Sequence, residues 1–197
     1  MSRRSLSKEI QDIRDKLGNQ PIVLVGLMGA GKSSIGRRLA EKLDLAFIDA
    51  DHEIELAADK SIPEIFADHG EAYFREGERR VISRLIENGA QVLATGGGAF
   101  INDETRASIE SRGVSVWLKA DLPLLMKRVM KRADRPLLQA DDPQAVMQQL
   151  IDTRYPIYEK ADVVVESKDV QHTQMVNEVI KVLAKWPGWE RLNNATP

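Results

Sequence analysis

The stretch that decides the fold is IVLVGLMGAGKSS, residues 22–34. Its first four residues predict a buried strand, and the glycines that follow predict a turn whose backbone N–H groups can surround phosphate oxygens. Lys32 supplies a positive charge for the terminal phosphates, and the hydroxyl of Ser33 is placed to ligate Mg²⁺. A helix beginning at Lys32 points the positive end of its dipole at the same anion. The candidate triphosphate contacts are Gly29, Ala30, Gly31, Lys32, Ser33 and Ser34.

Length, charge and cysteine content narrow the class of protein. The chain has 197 residues, which suits one domain. Its net charge of -2 provides no general attraction for nucleic acid or an anionic membrane. The absence of cysteine excludes disulfides, thiolate metal sites and thiol nucleophiles. No apolar run is long enough for a membrane span or an export signal, so we expect a cytoplasmic protein without a membrane partner. The net charge gives no reason to expect a nucleic-acid partner. A monomer is the default expectation.

The pattern around the phosphate loop predicts an α/β fold. From residue 21 onward, short apolar runs alternate with helical periodicity, which indicates βαβ units and a mostly parallel sheet. Apolar residues within 1–20 recur on one helical face, so we expect an accessory helix that packs on the domain or is partly frayed; a partner-binding helix is the alternative. The domain itself is predicted over residues 21–186, followed by a tail at 187–197, of which the polar part beyond Trp189 is expected to be disordered.

Two carboxylates follow the second predicted strand. Asp49 and Asp51 lie where parallel strands of open α/β sheets present ligand sites. We expect them to divide the positioning of a metal and the activation of a hydroxyl group between them. No strand is predicted over about 52–88, where a capping box at Ser61 and Glu64 begins a helical region that is interrupted near Gly70. We interpret this region as an insertion that binds the acceptor.

Three consecutive glycines, residues 96–98, end the third predicted strand. They favour the close approach of a ligand to the backbone, with a flexible turn as the alternative. Further along, residues 130–142 combine basic and helix-breaking residues, which predicts a mobile lid carrying Arg135. Arg75 and Arg154 are isolated on amphipathic helices; spacing leaves open whether they are surface residues or bind a carboxylate.

Together these features suit a small-molecule phosphotransferase. Lys32 and Arg135 would stabilise the transferring charge, and Ser33 would hold Mg²⁺. Two alternatives remain open. One is a kinase for another polyol acid, such as gluconate. The other is a binding or regulatory module that uses ATP without phosphorylating an acceptor.

The same motifs occur, in the same order, in a known family. The phosphate loop, FIDAD at 47–51, the glycines at 96–98, RPLL at 135–138 and RYPIY at 154–158 resemble shikimate kinases over about residues 20 to 185. The resemblance implies a P-loop NTPase fold of the nucleoside-monophosphate-kinase type, with a five-stranded parallel sheet in the order 2-3-1-4-5. It also implies transfer of the γ-phosphate of ATP to the 3-hydroxyl of shikimate, with Mg²⁺ as cofactor.

The resemblance assigns the acceptor residues. Asp51 would contact the ring hydroxyls and orient or deprotonate the one that reacts. Arg75 and Arg154 would hold the carboxylate of shikimate. Gly97 and Gly98 would close the ring pocket through their backbone.

The resemblance also assigns the donor residues. Lys32 and Arg135 would contact the γ-phosphate, and Ser33 with Asp49 would serve Mg²⁺. Arg128 lies where the family stacks an arginine on adenine. The chain departs from some relatives at residues 165–170, where it has no proline for the other adenine face.

Overall fold

The chain is built around a parallel sheet. We describe a computed structural model over residues 3–131 and 141–194. Five strands pair in the order β2-β3-β1-β4-β5, and every pairing is parallel. The strands are β1 (Ile22–Val25), β2 (Ala46–Asp49), β3 (Gln91–Ala94), β4 (Val114–Lys119) and β5 (Val163–Glu166). This is the predicted fold and strand order.

Helices cover both faces of the sheet. They are α1 (Arg3–Leu17), α2 (Lys32–Leu43), α3 (Ala50–Ala58), α4 (Ile62–Ile86), α5 (Asp103–Arg112), α6 (Leu122–Val129), α7 (Pro143–Tyr158), α8 (His172–Ala184) and α9 (Trp189–Asn194), with a short 3-10 helix at Ala99–Ile101. Among the described residues, no helix is both long and apolar enough to cross a bilayer.

Strand β1 is central and wholly buried, which explains its continuous apolar sequence. Ile22 pairs with Val92 on one side and with Val114 on the other. Helix α2 packs against the sheet through Ile35, Leu39 and other buried residues of one face. The phosphate loop, residues 26–33, therefore follows the central strand of the sheet.

The segment between β2 and β3 is helical, as expected. Helix α4 begins at the predicted capping box, in which Ser61 accepts from the backbone N–H of Glu64 and the Glu64 side chain accepts from that of Ser61. Gly70 breaks the helical path with φ 79°, at the predicted interruption. The sequence interpretation did not include α3, which begins directly after β2 because the Asp49 side chain caps its first turn.

The two ends of the described chain pack together. Ile13 and Leu17 of α1 are buried in the main core, so α1 is packed rather than frayed there. The expectation of disorder beyond Trp189 is wrong for residues 190–194, which lie in α9. Trp189 is buried and its indole N–H donates to the carbonyl of Leu183, while Leu192 is also buried. Two large apolar side chains in a short segment bury enough surface to order it.

Candidate active site

The phosphate loop has the conformation that an anion site requires. Gly29 and Gly31 have φ angles of 82° and 101°, in the region that favours glycine. Gly31 is the N-cap of α2 and provides no side-chain cap, so the first N–H groups of the helix are not covered by one. These groups, together with the helix dipole, favour a phosphate at this point.

Lys32 lies over the loop from which it extends. Its ammonium group donates to the carbonyls of Gly26 at 2.6 Å and Leu27 at 3.0 Å. These contacts hold the positive charge at the mouth of the loop. A lysine in this place can follow a phosphate because its stem is flexible.

Ser33 and Asp49 are brought together from different elements. The Ser33 hydroxyl donates to Oδ2 of Asp49 at 2.7 Å. The other oxygen of the same carboxylate accepts from the backbone N–H of Asp51 at 3.2 Å, which fixes its orientation. The pair offers two oxygen ligands beside the phosphate loop. Such a sparse set suits Mg²⁺, which takes one or two protein oxygens and completes its shell with phosphates and water.

A second loop packs against the phosphate loop. This glycine loop, Gly96, Gly97 and Gly98, follows β3. A Cβ placed at Gly97 would lie 3.4 Å from the backbone nitrogen of Met28 and 3.6 Å from the carbonyl oxygen of Gly26. The phosphate loop and the glycine loop therefore pack against each other through their backbones.

Carboxylates and an arginine line the glycine loop. A Cβ at Gly96 would come within 2.8 Å of both Asp51 Oδ1 and Glu78 Oε1, so only glycine leaves room for these two side chains. At Gly98 an added Cβ would collide with the guanidinium of Arg75. Asp51 and Arg75, predicted from the sequence, thus lie at the same loop.

Glu78 is a site residue that the sequence analysis missed. Its side chain is only 4% exposed and accepts from Arg75 Nη1 at 2.7 Å. Its other oxygen, Oε1, is buried and has no hydrogen-bond partner among the residues that the structure describes. Burial raises the pKa of Glu78, more than the attraction of Arg75 lowers it, and the charge of Asp51 raises it further.

Arg154 reaches the glycine loop from α7. Its Nη1 donates to the carbonyl of Gly97 at 2.9 Å. Together with Arg75, this places two guanidinium groups at one loop. Paired guanidinium groups suit the recognition of a carboxylate.

Arg128 holds the phosphate loop. Its Nη1 donates to the carbonyls of Gly29 and Ala30 at 3.2 and 3.1 Å and to the hydroxyl of Ser167 at 2.9 Å. Its Nη2 donates to the carbonyl of Lys168 at 2.9 Å. The side chain therefore joins the loop to the segment after β5, and its expected stacking on adenine stays a prediction.

Arg135 and most of the predicted lid lie outside the described residues, so their roles stay predictions.

Beside the site, a cleft of about 770 Å³ lies between α6, α7 and the ends of β4 and β5. It includes Ser167 and Lys168, which Arg128 contacts, but none of the phosphate-loop or glycine-loop residues.

The parallel sheet, together with the phosphate loop and the glycine loop packed against it, defines the class of protein. It is a P-loop kinase that phosphorylates a small molecule. The family model for shikimate kinase matches residues 28–184. The chain belongs to the shikimate kinase family, and so to a family of enzymes.

Individual relatives agree with this assignment. A shikimate kinase of Bradyrhizobium diazoefficiens is 56% identical over 172 residues, covering 87% of this chain and 83% of the relative. One from Rhodopseudomonas palustris is 52% identical over 177 residues, covering 90% and 87%. The solved shikimate kinase of Acinetobacter baumannii in complex with shikimate has a TM-score of 0.81 and 35% identity, covering 87% of this chain and 96% of that one. A gluconokinase from Sinorhizobium meliloti, with 20% identity and a TM-score of 0.60, shares the fold.

Proposed function

We propose that this protein transfers the γ-phosphoryl group of ATP to the 3-hydroxyl of shikimate, giving shikimate 3-phosphate and ADP in aromatic amino acid biosynthesis. The observation that carries the proposal is the contact between the two loops. Gly97 packs on the phosphate loop while Asp51, Arg75 and Arg154 surround the same glycine loop. Membership of the shikimate kinase family supports the same reaction.

The acceptor half follows from hydroxyl and carboxylate chemistry. Arg75 and Arg154 would bind the carboxylate of shikimate through charge-assisted hydrogen bonds. Asp51 would accept a hydrogen bond from the reacting hydroxyl, orient it and receive its proton. The backbone of Gly97 and Gly98 would close the ring pocket without side chains that would occupy it.

The donor half follows from phosphate chemistry. The backbone N–H groups from Gly29 to Ser34 would hold the phosphates, and Lys32 and Arg135 would neutralise charge on the γ-phosphoryl group. Ser33 and Asp49 would hold Mg²⁺, Asp49 through water, and the ion would neutralise negative charge on the phosphates of ATP. Arg128 would stack on the adenine ring after ATP enters.

We also propose that the enzyme works as a cytoplasmic monomer with ATP and shikimate as its partners. Both halves of the proposed site come from one chain, so no second copy is needed to complete it. Size-exclusion chromatography with light scattering at working enzyme concentration tests the monomer.

The experiment that tests the reaction is a coupled assay of ADP release with three acceptors in parallel: shikimate, gluconate and a nucleoside monophosphate. We expect Mg²⁺-dependent turnover with shikimate only. Turnover of gluconate without stimulation by shikimate would favour the alternative acceptor. Tight binding of ATP and shikimate without any ADP release would favour a regulatory module.

A further inference from the structure

One carbonyl oxygen of the glycine loop accepts two hydrogen bonds from α7. Arg154 Nη1 donates to the carbonyl of Gly97 at 2.9 Å, and the hydroxyl of Tyr158 donates to the same oxygen. Tyr158 lies one helical turn after Arg154, so both side chains project from the same face of α7. Tyr158 is almost wholly buried, with 1% of its surface exposed.

The ring of Tyr158 is held by aromatic neighbours. It stacks on Trp117 of β4 with ring centroids 5.7 Å apart, and on Phe100 with centroids 6.1 Å apart. Trp117 is completely buried in the middle of the sheet. Because closely packed rings resist displacement, the Tyr158 hydroxyl is a fixed point relative to the sheet.

A fixed carbonyl at Gly97 also fixes the following peptide group. In a planar trans peptide, the N–H of Gly98 points opposite to the carbonyl of Gly97. Glycines on either side would otherwise allow this peptide to rotate readily. The guanidinium of Arg75 packs over Gly98, so the same peptide is in contact with both arginines of the proposed carboxylate site.

We propose that Tyr158 is a positioning residue of the acceptor site, which holds the Gly97 carbonyl and thereby sets the place of Arg154 and the affinity for shikimate. This inference rests on the proposed function. The hydroxyl has the right protonation state for the task, because burial raises the pKa of Tyr158 and keeps the group a donor.

The test compares Tyr158→Phe with Tyr155→Phe. Tyr155 is a matched control: it lies on the same helix, packs edge-on against Trp117 at 4.9 Å, and donates its hydroxyl to a backbone carbonyl, that of Ala120. Each variant keeps its ring and loses one phenol-to-carbonyl hydrogen bond. Only the Tyr158 bond ends on the glycine loop.

Calorimetric titration should show that Tyr158→Phe weakens shikimate binding about fivefold to tenfold, the effect of one hydrogen bond. Binding of ATP should stay within about twofold of wild type, and Tyr155→Phe should leave both affinities unchanged. The inference is overturned by wild-type shikimate affinity in Tyr158→Phe, by an equal loss in Tyr155→Phe, or by an equal loss of ATP affinity.

A second variant covers the case in which Tyr158→Phe does not fold. Phe100→Leu loosens the stack without removing the hydroxyl, and should weaken shikimate binding roughly threefold while sparing ATP; unchanged shikimate binding would contradict the inference. The wild-type protein separates the two proposals. If the wild type neither binds nor phosphorylates shikimate, both proposals fail. If the wild type phosphorylates shikimate and the variants bind it with wild-type affinity, only the positioning role of Tyr158 fails.

Discussion

Arg75 and Glu78 lie one turn apart on α4 and form an ion pair of 2.7 Å at the glycine loop, with the Glu78 side chain 4% exposed. The guanidinium also contacts Glu71 at 3.2 Å on its solvent side. Arg75 is thus held by carboxylates on two sides, which limits its conformations before an acceptor arrives. Such preorganisation lowers the entropy lost on binding.

The buried carboxylate makes stability depend on pH. Burial raises the pKa of Glu78 above its ordinary value of 4.5. The folded state then binds the proton more tightly than the unfolded state, so this contribution to stability is complete below 4.5 and is lost as pH rises through the folded pKa. Relative to Glu78→Gln, which does not titrate, the wild type should lose free energy of unfolding as the pH rises from 4.5 through the raised pKa of Glu78.

Urea unfolding of both proteins at a series of pH values measures this difference, since the other carboxylates cancel. Glu76→Gln on the same helix is the control, because Arg79 and Arg80 lower the pKa of Glu76 to about 2. The contribution of Glu76 to stability is present above its ordinary pKa of 4.5 and is lost as the pH falls. The difference in free energy of unfolding between the wild type and Glu76→Gln must therefore change with pH in the opposite direction. A wild-type advantage over Glu78→Gln that stays constant or grows with pH would be incompatible with a raised pKa.

Lys32→Ala should slow phosphoryl transfer by about 10²–10³-fold, because it removes a positive charge that stabilises the transition state. Shikimate binding should be retained, since the ammonium group of Lys32 donates to the carbonyls of Gly26 and Leu27 in the phosphate loop. Rapid-quench kinetics and equilibrium binding separate the two quantities. Lys42→Ala, which removes a lysine of α2 that bonds Asn177, is the control and should keep full activity.

Arg154→Ala should weaken shikimate binding by roughly 10²-fold, the effect of losing charge-assisted hydrogen bonds, while ATP affinity stays nearly intact. Arg112→Ala removes an arginine that pairs with Glu87 at the surface and serves as the control. Calorimetry with each ligand alone provides the measurement. A change confined to ATP affinity would refute a carboxylate role for Arg154.

Asp49→Asn should raise the Mg²⁺ concentration needed for half-maximal activity by about tenfold, because a neutral amide attracts the hydrated cation and accepts from its water less strongly than a carboxylate does. The side chain still accepts the Asp51 N–H and caps α3, so the melting temperature should hardly change. Activity measured over a Mg²⁺ titration tests this. An unchanged metal requirement would remove Asp49 from the proposed metal site, and chelation of Mg²⁺ should abolish turnover in the wild type.

The sequence predicted those parts of the fold that depend on local patterns. The phosphate loop has a fixed spacing of glycines with Lys32, and the capping box at Ser61 has its partner three residues away. Both were confirmed because backbone geometry over a few residues determines them. Asp51, Arg75 and Arg154 were placed at one loop only through the family resemblance, since their meeting depends on three separate elements.

Other features depend on packing between distant segments. Glu78 is one of several glutamates on α4, and it is distinguished by its burial beside Gly96, one turn from the buried Phe74 and Ile82. The family resemblance predicted Arg128 only as an adenine contact. Its hydrogen bonds to Gly29 and Ser167 also join the phosphate loop to the segment after β5. Helix α9 is ordered because Trp189 packs in the core and donates its indole N–H to the carbonyl of Leu183. The contacts of Arg128 and Trp189 leave no periodic signal in the sequence, whereas Glu78 falls at helical spacing on the buried face of α4.

The most direct test of the central claim is the position of the phosphate in the product. The enzyme is incubated with ATP, Mg²⁺ and shikimate, and the product is analysed by phosphorus NMR with proton correlation. We predict one new phosphate ester, coupled to the proton on the carbon that bears the 3-hydroxyl. Release of ADP without a phosphorylated shikimate, or an ester on another hydroxyl, would contradict the arrangement of Asp51, Arg75 and Arg154 proposed here.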